Sequence, residues 1–179
     1  MACAAALAAQ LVSGASADEG TEETPDHRVK AAYLCKFASY VEWPATKFPH
    51  PDTPITIGVL GADAVAEELL QLVSGHMVDQ RPIAARRLKT GEPLAGVDIL
   101  FIGKQESSHL SEILSAARPL SVLSVTETTG ALAQGSIINF TIDEQRVRFE
   151  ISLTAAEQSN LKLSSRLLGV AQQVLPSSP

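Results

Sequence analysis

The side chains best suited to bind a metal ion are the four histidines, and they are widely spaced. His27, His50, His76 and His109 stand more than 20 residues apart. Metal sites in proteins usually take at least two ligands from one local segment. We therefore expect no metal site, and we expect these histidines to lie on the surface.

The serines and cysteines form no recognisable nucleophile motif. There is no G-x-S-x-G segment, and Cys35 has no plausible histidine partner nearby. Helix capping explains the serines of KLSSR (162–166). Adjacent carboxylates such as Glu67 and Glu68 diverge on a helix, so they do not form an acid–base pair. The sequence therefore predicts a protein that binds, and not an enzyme.

The segment GVLGADAVAE (58–67) is where a nucleotide cofactor would be sought. Gly58 and Gly61 give G-x-x-G and not G-x-G-x-x-G, and no acidic residue ends a following strand about 20 residues later. An ordinary turn from a strand to a helix explains the segment. We expect no cofactor.

The overall charge argues against nucleic-acid binding. The formal net charge is −6 and the isoelectric point is near 5.2, which repels a phosphate backbone. The densest basic run, Arg86 to Lys89, contains no aromatic residue on which a base could stack. With 179 residues, 45% of them hydrophobic, the chain fits one folded domain.

The first residues predict export. An uncharged apolar run (2–12) ends in SGASA (13–17), an A-x-A pattern that places signal cleavage after Ala17. The first basic residue is Arg28, so the usual positive start is missing and a natural start upstream of Met1 stays open. Lipidation of Cys3 is the alternative. No later segment reaches the roughly 18 apolar residues of a membrane span, so we predict an exported protein whose mature chain is soluble.

Cleavage after Ala17 would leave Cys35 as the one cysteine of the mature chain. An intramolecular disulfide is then impossible. Cys35 would be buried, paired with another chain, or reactive.

After an acidic leader (18–26), helices and strands are predicted to alternate. An apolar stripe indicates a helix from Val29 that ends at Trp43, before Pro44. A proline-rich crossing (44–54) follows. Strands are predicted at 55–61, 82–88, 97–103 and 121–127, and helices at 62–75 and 107–118.

The last part of the chain departs from this alternation. Two period-2 runs (136–142 and 146–153) predict an antiparallel hairpin across DEQ (143–145). Thr154 and Glu157 predict a capping box, and Ser164 or Ser165 caps a final helix whose apolar period continues to Leu175. The predicted fold is an α/β three-layer αβα sandwich. It has a mixed sheet with a C-terminal antiparallel hairpin and is Rossmann-like without a dinucleotide motif. It would form one domain (27–175), followed by a tail (176–179).

Five of the eight aromatic residues lie between positions 33 and 48: Tyr33, Phe37, Tyr40, Trp43 and Phe48. Such residues either pack a helix against a sheet or line an exposed patch that binds a partner. Phe37 and Trp43 are expected in the core, whereas the two alternatives stay open for Tyr40 and Phe48. Tyr40, Trp43 and Phe48 are the candidate partner-binding residues.

Five segments occur in a recognisable order: VKAAYLCKFASYVEWP, ITIGVLG, VDILFIG, SVLSVTE and INFTIDEQRVRFEISLTAAEQSNLKLSSRLLGVA. From about Val29 to Val174 the chain resembles the YfiR family. The most specific parts of the resemblance are the Trp-Pro after the aromatic-rich helix and the RVRFEI and LKLSSRLL of the tail. Val97 stands where family members often carry a cysteine, which argues against a redox-sensing disulfide here.

The resemblance implies a role but no chemistry. YfiR-like proteins are small periplasmic proteins that hold a membrane-bound diguanylate cyclase of the YfiN type inactive, and an outer-membrane lipoprotein of the YfiB type relieves the block. This chain would then bind the periplasmic sensor domain of such a cyclase, lowering cyclic-di-GMP signalling and biofilm formation. Formation of a homodimer is suggested only by the family. A periplasmic protein that binds a small hydrophobic molecule remains the alternative.

Overall fold

The computed structural model describes residues 26–177. The predicted signal segment, Cys3, the cleavage point after Ala17 and nearly all of the acidic leader lie outside the described residues. Asp26, predicted as the end of that leader, is the first residue of a helix.

The described chain contains ten strands and five α-helices. The strands are β1 (Val41–Glu42), β2 (Ile55–Leu60), β3 (Met77–Val78), β4 (Arg81–Leu88), β5 (Ile99–Ile102), β6 (Leu123–Thr126), β7 (Ile138–Asp143), β8 (Arg146–Ser152), β9 (Lys162–Leu163) and β10 (Gln173–Leu175). The helices are α1 (Asp26–Phe37), α2 (Asp63–Leu72), α3 (Leu110–Ala117), α4 (Leu153–Gln158) and α5 (Ser165–Val170).

Eight strands form one mixed sheet in the order β10-β8-β7-β6-β5-β2-β4-β3. Strands β4, β2, β5, β6 and β7 run parallel, whereas β8 is antiparallel to β7. The predicted α/β fold with a mixed sheet and a C-terminal antiparallel hairpin is therefore confirmed. The remaining two strands, β1 and β9, form a separate two-stranded sheet.

Alternate residues of the central strands face opposite helical layers, as a period of two requires. Ile57 and Val59 of β2 belong to the larger core, which α1 and α2 cover. Leu60 of the same strand belongs to a smaller core, which α3 covers. The sheet therefore lies between two helical layers of unequal size.

The first helix is shorter than predicted. It ends at Phe37, a turn of 3-10 helix follows over Ala38–Tyr40, and β1 then pairs with β9. The predicted end at Trp43 is wrong because the extended pairing of Val41 with Leu163 replaces the helical conformation. The apolar period did not reveal a partner strand that lies about 120 residues further along the chain.

The last helix is also shorter than predicted. It ends at Val170, and Gln173–Leu175 forms β10, which runs parallel to β8 at one edge of the sheet. The cap at Ser164 is confirmed, since its hydroxyl accepts a hydrogen bond from the backbone N–H of Leu167 at 3.3 Å.

Two other local predictions need correction. Ser152, and not Thr154, caps α4, because its hydroxyl accepts from the N–H of Ala155 at 3.2 Å. The hairpin turn was predicted across residues 143–145. Asp143 instead pairs with Arg146 as the last residue of β7, so the turn consists of Glu144 and Gln145, at φ 46° and 62°. Positive φ at both central residues matches the twist of a two-residue hairpin turn.

Candidate partner-binding surface

The aromatic residues separate into two groups of ring contacts. The first, here called the core aromatic group, has centroid distances of 5.3 to 6.0 Å and consists of Tyr33, Phe37, Phe101, Phe140 and Phe149. Phe37 is 1% exposed, as expected for a core residue. This group joins α1 to the sheet and stabilises the fold.

The second group is the Trp43–Phe48 pair. The two ring centroids are 5.6 Å apart at an interplanar angle of 78°, an edge-to-face contact. Both side chains are half-buried and pack against the larger core, so Trp43 is less deeply buried than the sequence suggested. Tyr40 belongs to neither group of ring contacts within residues 26–177, and its carbonyl accepts a hydrogen bond from the N–H of Ser164 at 2.9 Å.

The crossing that carries Phe48 is fastened to the sheet by Lys47. Its ammonium lies 3.3 Å from a carboxylate oxygen of Asp98 and donates to the carbonyl of Leu120 at 2.7 Å. The second oxygen of Asp98 accepts from the N–H of Thr56, at the start of β2, at 2.8 Å. Lys47 and Asp98 therefore hold the crossing at the edge of the sheet where β2 and β5 begin.

Arg81 provides a second attachment. Its guanidinium donates to the carbonyls of His50 at 2.8 Å and Thr53 at 2.6 Å. The same guanidinium carbon lies 4.5 Å from the centroid of the Phe48 ring, which is cation–π geometry. The proline-rich crossing is consequently fixed from both sides, and the Trp43–Phe48 pair is held in one arrangement.

The pKa of the Asp98 carboxyl group shows the electrostatic cost of this attachment. Burial raises its pKa above the ordinary value, because the charged form loses its hydration. The hydrogen bond from Thr56 and the nearby charges of Lys47 and Arg81 oppose this effect without cancelling it. The attachment is therefore a buried ion pair with a net desolvation penalty on the acid.

Beside Trp43 lies an open groove of about 500 Å³, here called the Trp43 groove. It exists because β1 pairs with β9, which places the Trp-Pro segment against the residues that follow α4. The lining residues are Glu42, Trp43, Pro44, Ala45, Glu157, Asn160, Leu161 and Lys162. The indole Nε1 is buried and has no hydrogen-bond acceptor in the described chain.

An aromatic side chain with a rim of charged groups is the composition of a protein-binding surface. Here the rim carries Glu42, Glu157 and Lys162 around the half-buried ring of Trp43. The two segments on which the sequence resemblance most depends, Trp-Pro and LKLSS, lie in this groove or next to it. The structure thus joins segments that the sequence kept apart.

Several residues of this surface escaped sequence analysis. Lys47, Arg81 and Asp98 are far apart in the chain, and no spacing rule links them. Lys162 and Asn160 lay in the tail segment that supported the resemblance, but neither was a candidate site residue. The one sequence signal for Lys47 was that it is a charged residue within the proline-rich crossing.

The crevice in which open α/β sheets usually bind nucleotides is filled. It lies at the carboxyl ends of β2 and β5, where the strand order changes direction. A Cβ at Gly103 would overlap the carbonyl oxygen of Gly61, and one at Gly61 would lie 2.7 Å from the Cγ of Glu106. The chain's own atoms occupy this position.

Residues 26–177 contain neither a cluster of metal ligands nor a helix that could span a membrane. No group of three or more His, Cys, Asp or Glu side chains is arranged to hold a metal ion there. Over the same residues, every helix is too short or too polar to cross a bilayer.

The model of the YfiR/HmsC-like family matches residues 27–172. Among solved structures, the chain is similar to a conserved domain protein from Vibrio cholerae O1 biovar eltor, with a TM-score of 0.58 and 14% sequence identity. The alignment covers 83% of this chain, which spans 60% of the length of that structure. At this identity the likeness shows the fold alone. No curated protein matches the chain.

The chain belongs to the YfiR/HmsC-like family, because the family model covers most of its length. Membership supports the role of a periplasmic regulator of cyclic-di-GMP signalling at the level of the family.

Proposed function

We propose that this protein represses an inner-membrane diguanylate cyclase of the YfiN type by binding its periplasmic sensor domain through the Trp43 groove. The family membership of residues 27–172 carries the proposal. The groove supports it because a half-buried tryptophan with charged neighbours is a common binding hot spot.

The physical requirement for repression is modest. A regulator needs only a higher affinity for the inactive arrangement of its target than for the active one. A preference of about 5.5 kcal/mol moves a two-state target from 1:99 to 99:1. The repressor therefore uses shape and contact alone, and the mechanism assigns no covalent step to its side chains.

The fixed position of the Trp43–Phe48 pair favours tight binding. Lys47 and Arg81 hold the crossing before a partner arrives. Little conformational entropy is then lost on association, and preorganised surfaces bind more strongly for this reason.

The proposal includes export and a second partner. The mature protein would begin after Ala17 and act in the periplasm, where a YfiB-type outer-membrane lipoprotein would relieve repression by binding the repressor. The mass of the protein recovered from a periplasmic extract tests the first point. A chain that begins at Asp18 agrees with it, whereas a diacylated Cys3 in the membrane fraction contradicts it.

The experiment for the proposed function combines binding and signalling. The mature protein is titrated against the purified periplasmic domain of the cyclase, and cyclic-di-GMP is measured in a deletion strain with and without the gene restored. We expect a saturable complex, and cyclic-di-GMP that rises on deletion and falls on restoration. No complex together with unchanged cyclic-di-GMP would overturn the proposal.

A further inference from the structure

The helical layer over the smaller core is too narrow for the strands beneath it. Helix α3 has eight residues and, among the helices of residues 26–177, is the one α-helix that contributes to this core. At a spacing of about 4.8 Å, the strands β4, β2, β5 and β6 extend about 14 Å across, whereas a helix is about 10 Å wide. The strip over the ends of β4 and β2 is therefore left without a helix.

A cleft of about 380 Å³ lies in this strip, between α3 and the loop that follows β4, and is here called the α3 cleft. Its apolar lining includes Leu60, Leu88, Leu94, Ile113, Ala116 and Leu120. The volume falls within the range of small-molecule sites, about 300 to 1,000 Å³. Most of the lining is apolar, so the hydrophobic effect favours an apolar occupant.

Several hydrogen bonds hold the loop that forms the outer wall, among them one from the N–H of Lys89 to the carboxylate of Glu92 at 3.0 Å. Arg86 donates to the carbonyl of Ala95 at 3.2 Å and to that of Pro93 at 3.4 Å, and it lies 3.6 Å from a carboxylate oxygen of Glu92. Its buried Nε has no acceptor in the described chain. These contacts and the hydrogen bond from Thr90 to Glu106 hold the wall in place, so the cleft is formed before a ligand binds.

Side chains of both signs surround the cleft, and Glu92 of the lining lies near Arg86. A carboxylate oxygen of Glu106 lies 3.5 Å from Nδ1 of His109, and Glu106 also accepts from the hydroxyl of Thr90 at 2.7 Å. The lining also carries Lys89 and Glu112, which have opposite signs. A charged ligand would lose its hydration on entering this mainly apolar cleft, whereas the Thr90 hydroxyl and the imidazole of His109 offer hydrogen bonds at the rim to an uncharged one.

We propose that the α3 cleft binds an uncharged, mainly apolar small molecule that carries one hydrogen-bonding group. The cleft and the Trp43 groove belong to different cores on opposite faces of the sheet. The inference is therefore independent of the proposed repression, and either one can fail alone.

The first test titrates the protein with 1-alkanols from hexanol to decanol by calorimetry. We expect affinity to increase about fourfold for each added methylene until the cleft is full, and then to level off. Alkanoates and alkylammonium ions of the same chain length are expected to bind at least tenfold more weakly. Absence of binding, or affinity that does not depend on chain length, would overturn the proposal, as would tighter binding of either ion.

A pair of variants on one helix locates the site. Ala116 lines the cleft, whereas the exposed Ser115 beside it on α3 does not. Ala116→Trp should reduce alkanol affinity at least tenfold, and Ala116→Leu should reduce it less, whereas Ser115→Trp should leave it unchanged. Cooperative thermal unfolding confirms that each variant is folded. If Ala116→Trp, Ala116→Leu and Ser115→Trp all bind the alkanols as tightly as the unmodified protein does, the assignment is contradicted.

Discussion

Phe37 and Trp43 are six residues apart, yet they belong to different parts of the molecule. Phe37 is enclosed by other rings of the core aromatic group, whereas Trp43 remains half-buried beside an open groove. The difference arises where α1 ends, because the 3-10 turn and β1 redirect the chain toward β9. An aromatic cluster in a sequence can thus contain both a core and a binding surface.

The largest effect on stability should come from the core aromatic group. Phe37→Ala is expected to lower the free energy of unfolding by about 3 to 5 kcal/mol, because it leaves a cavity among the rings of Tyr33, Phe140 and Phe149. Urea denaturation measures the change, and Phe48→Ala should lose clearly less. Equal losses in the two variants would remove the distinction between core and surface.

A smaller loss is expected from the attachment of the crossing. Arg81→Lys should lower the free energy of unfolding by about 1 to 2 kcal/mol, because the shorter side chain withdraws the donor from the two carbonyls and removes the planar guanidinium from the Phe48 ring. Arg87→Lys on the same strand is the control, since Arg87 makes only exposed contacts with Asp63 and Glu67. Its loss should stay below about 0.5 kcal/mol. Comparable losses of unfolding free energy in Arg81→Lys and Arg87→Lys would show that Arg81 does not hold the crossing.

The raised pKa of Asp98 fixes the direction in which the free energy of unfolding changes with pH. Burial raises the pKa of its carboxyl group in the folded protein above the ordinary value of 3.8, so the folded state binds this proton more readily than the unfolded chain does. The stability that Asp98 contributes is then fully present below the ordinary pKa and is lost as the pH rises through the raised pKa.

The free energy of unfolding should therefore fall, relative to that of Asp98→Asn, as the pH rises from 3.8. Denaturation of both proteins across this range provides the measurement. A difference that grows with pH would mean that the ion pair with Lys47 outweighs burial.

The smallest effect concerns Cys35, which borders the core aromatic group on α1. It is a free thiol, half-buried, and burial raises its pKa. Less thiolate is then present at neutral pH, so native protein should react with iodoacetamide more slowly than denatured protein does. Equal rates in the two states would place this thiol at the surface.

The sequence predicted the order of the central elements because short apolar runs and helical periods are local signals. Ile99–Ile102 is buried throughout, as its composition indicated. Local signals failed at the ends of α1 and α5, where Val41 and Gln173 pair with distant strands. The Trp43 groove was only half predictable, since Trp43 and Phe48 were candidates but Lys162 reaches it through that same distant pairing.

The central claim is that Trp43 belongs to a binding surface, and calorimetry of Trp43→Ala with the periplasmic domain of the cyclase tests it most directly. Ile142→Ala is the control, because Ile142 is a large exposed apolar residue near the end of β7, whereas the crossing lies where β2 and β5 begin. We expect the Trp43 variant to fold cooperatively and to lose about 2 kcal/mol or more of binding free energy, roughly a 30-fold weaker affinity. The control should bind as the unmodified protein does. A folded Trp43→Ala protein with undiminished affinity would contradict the account.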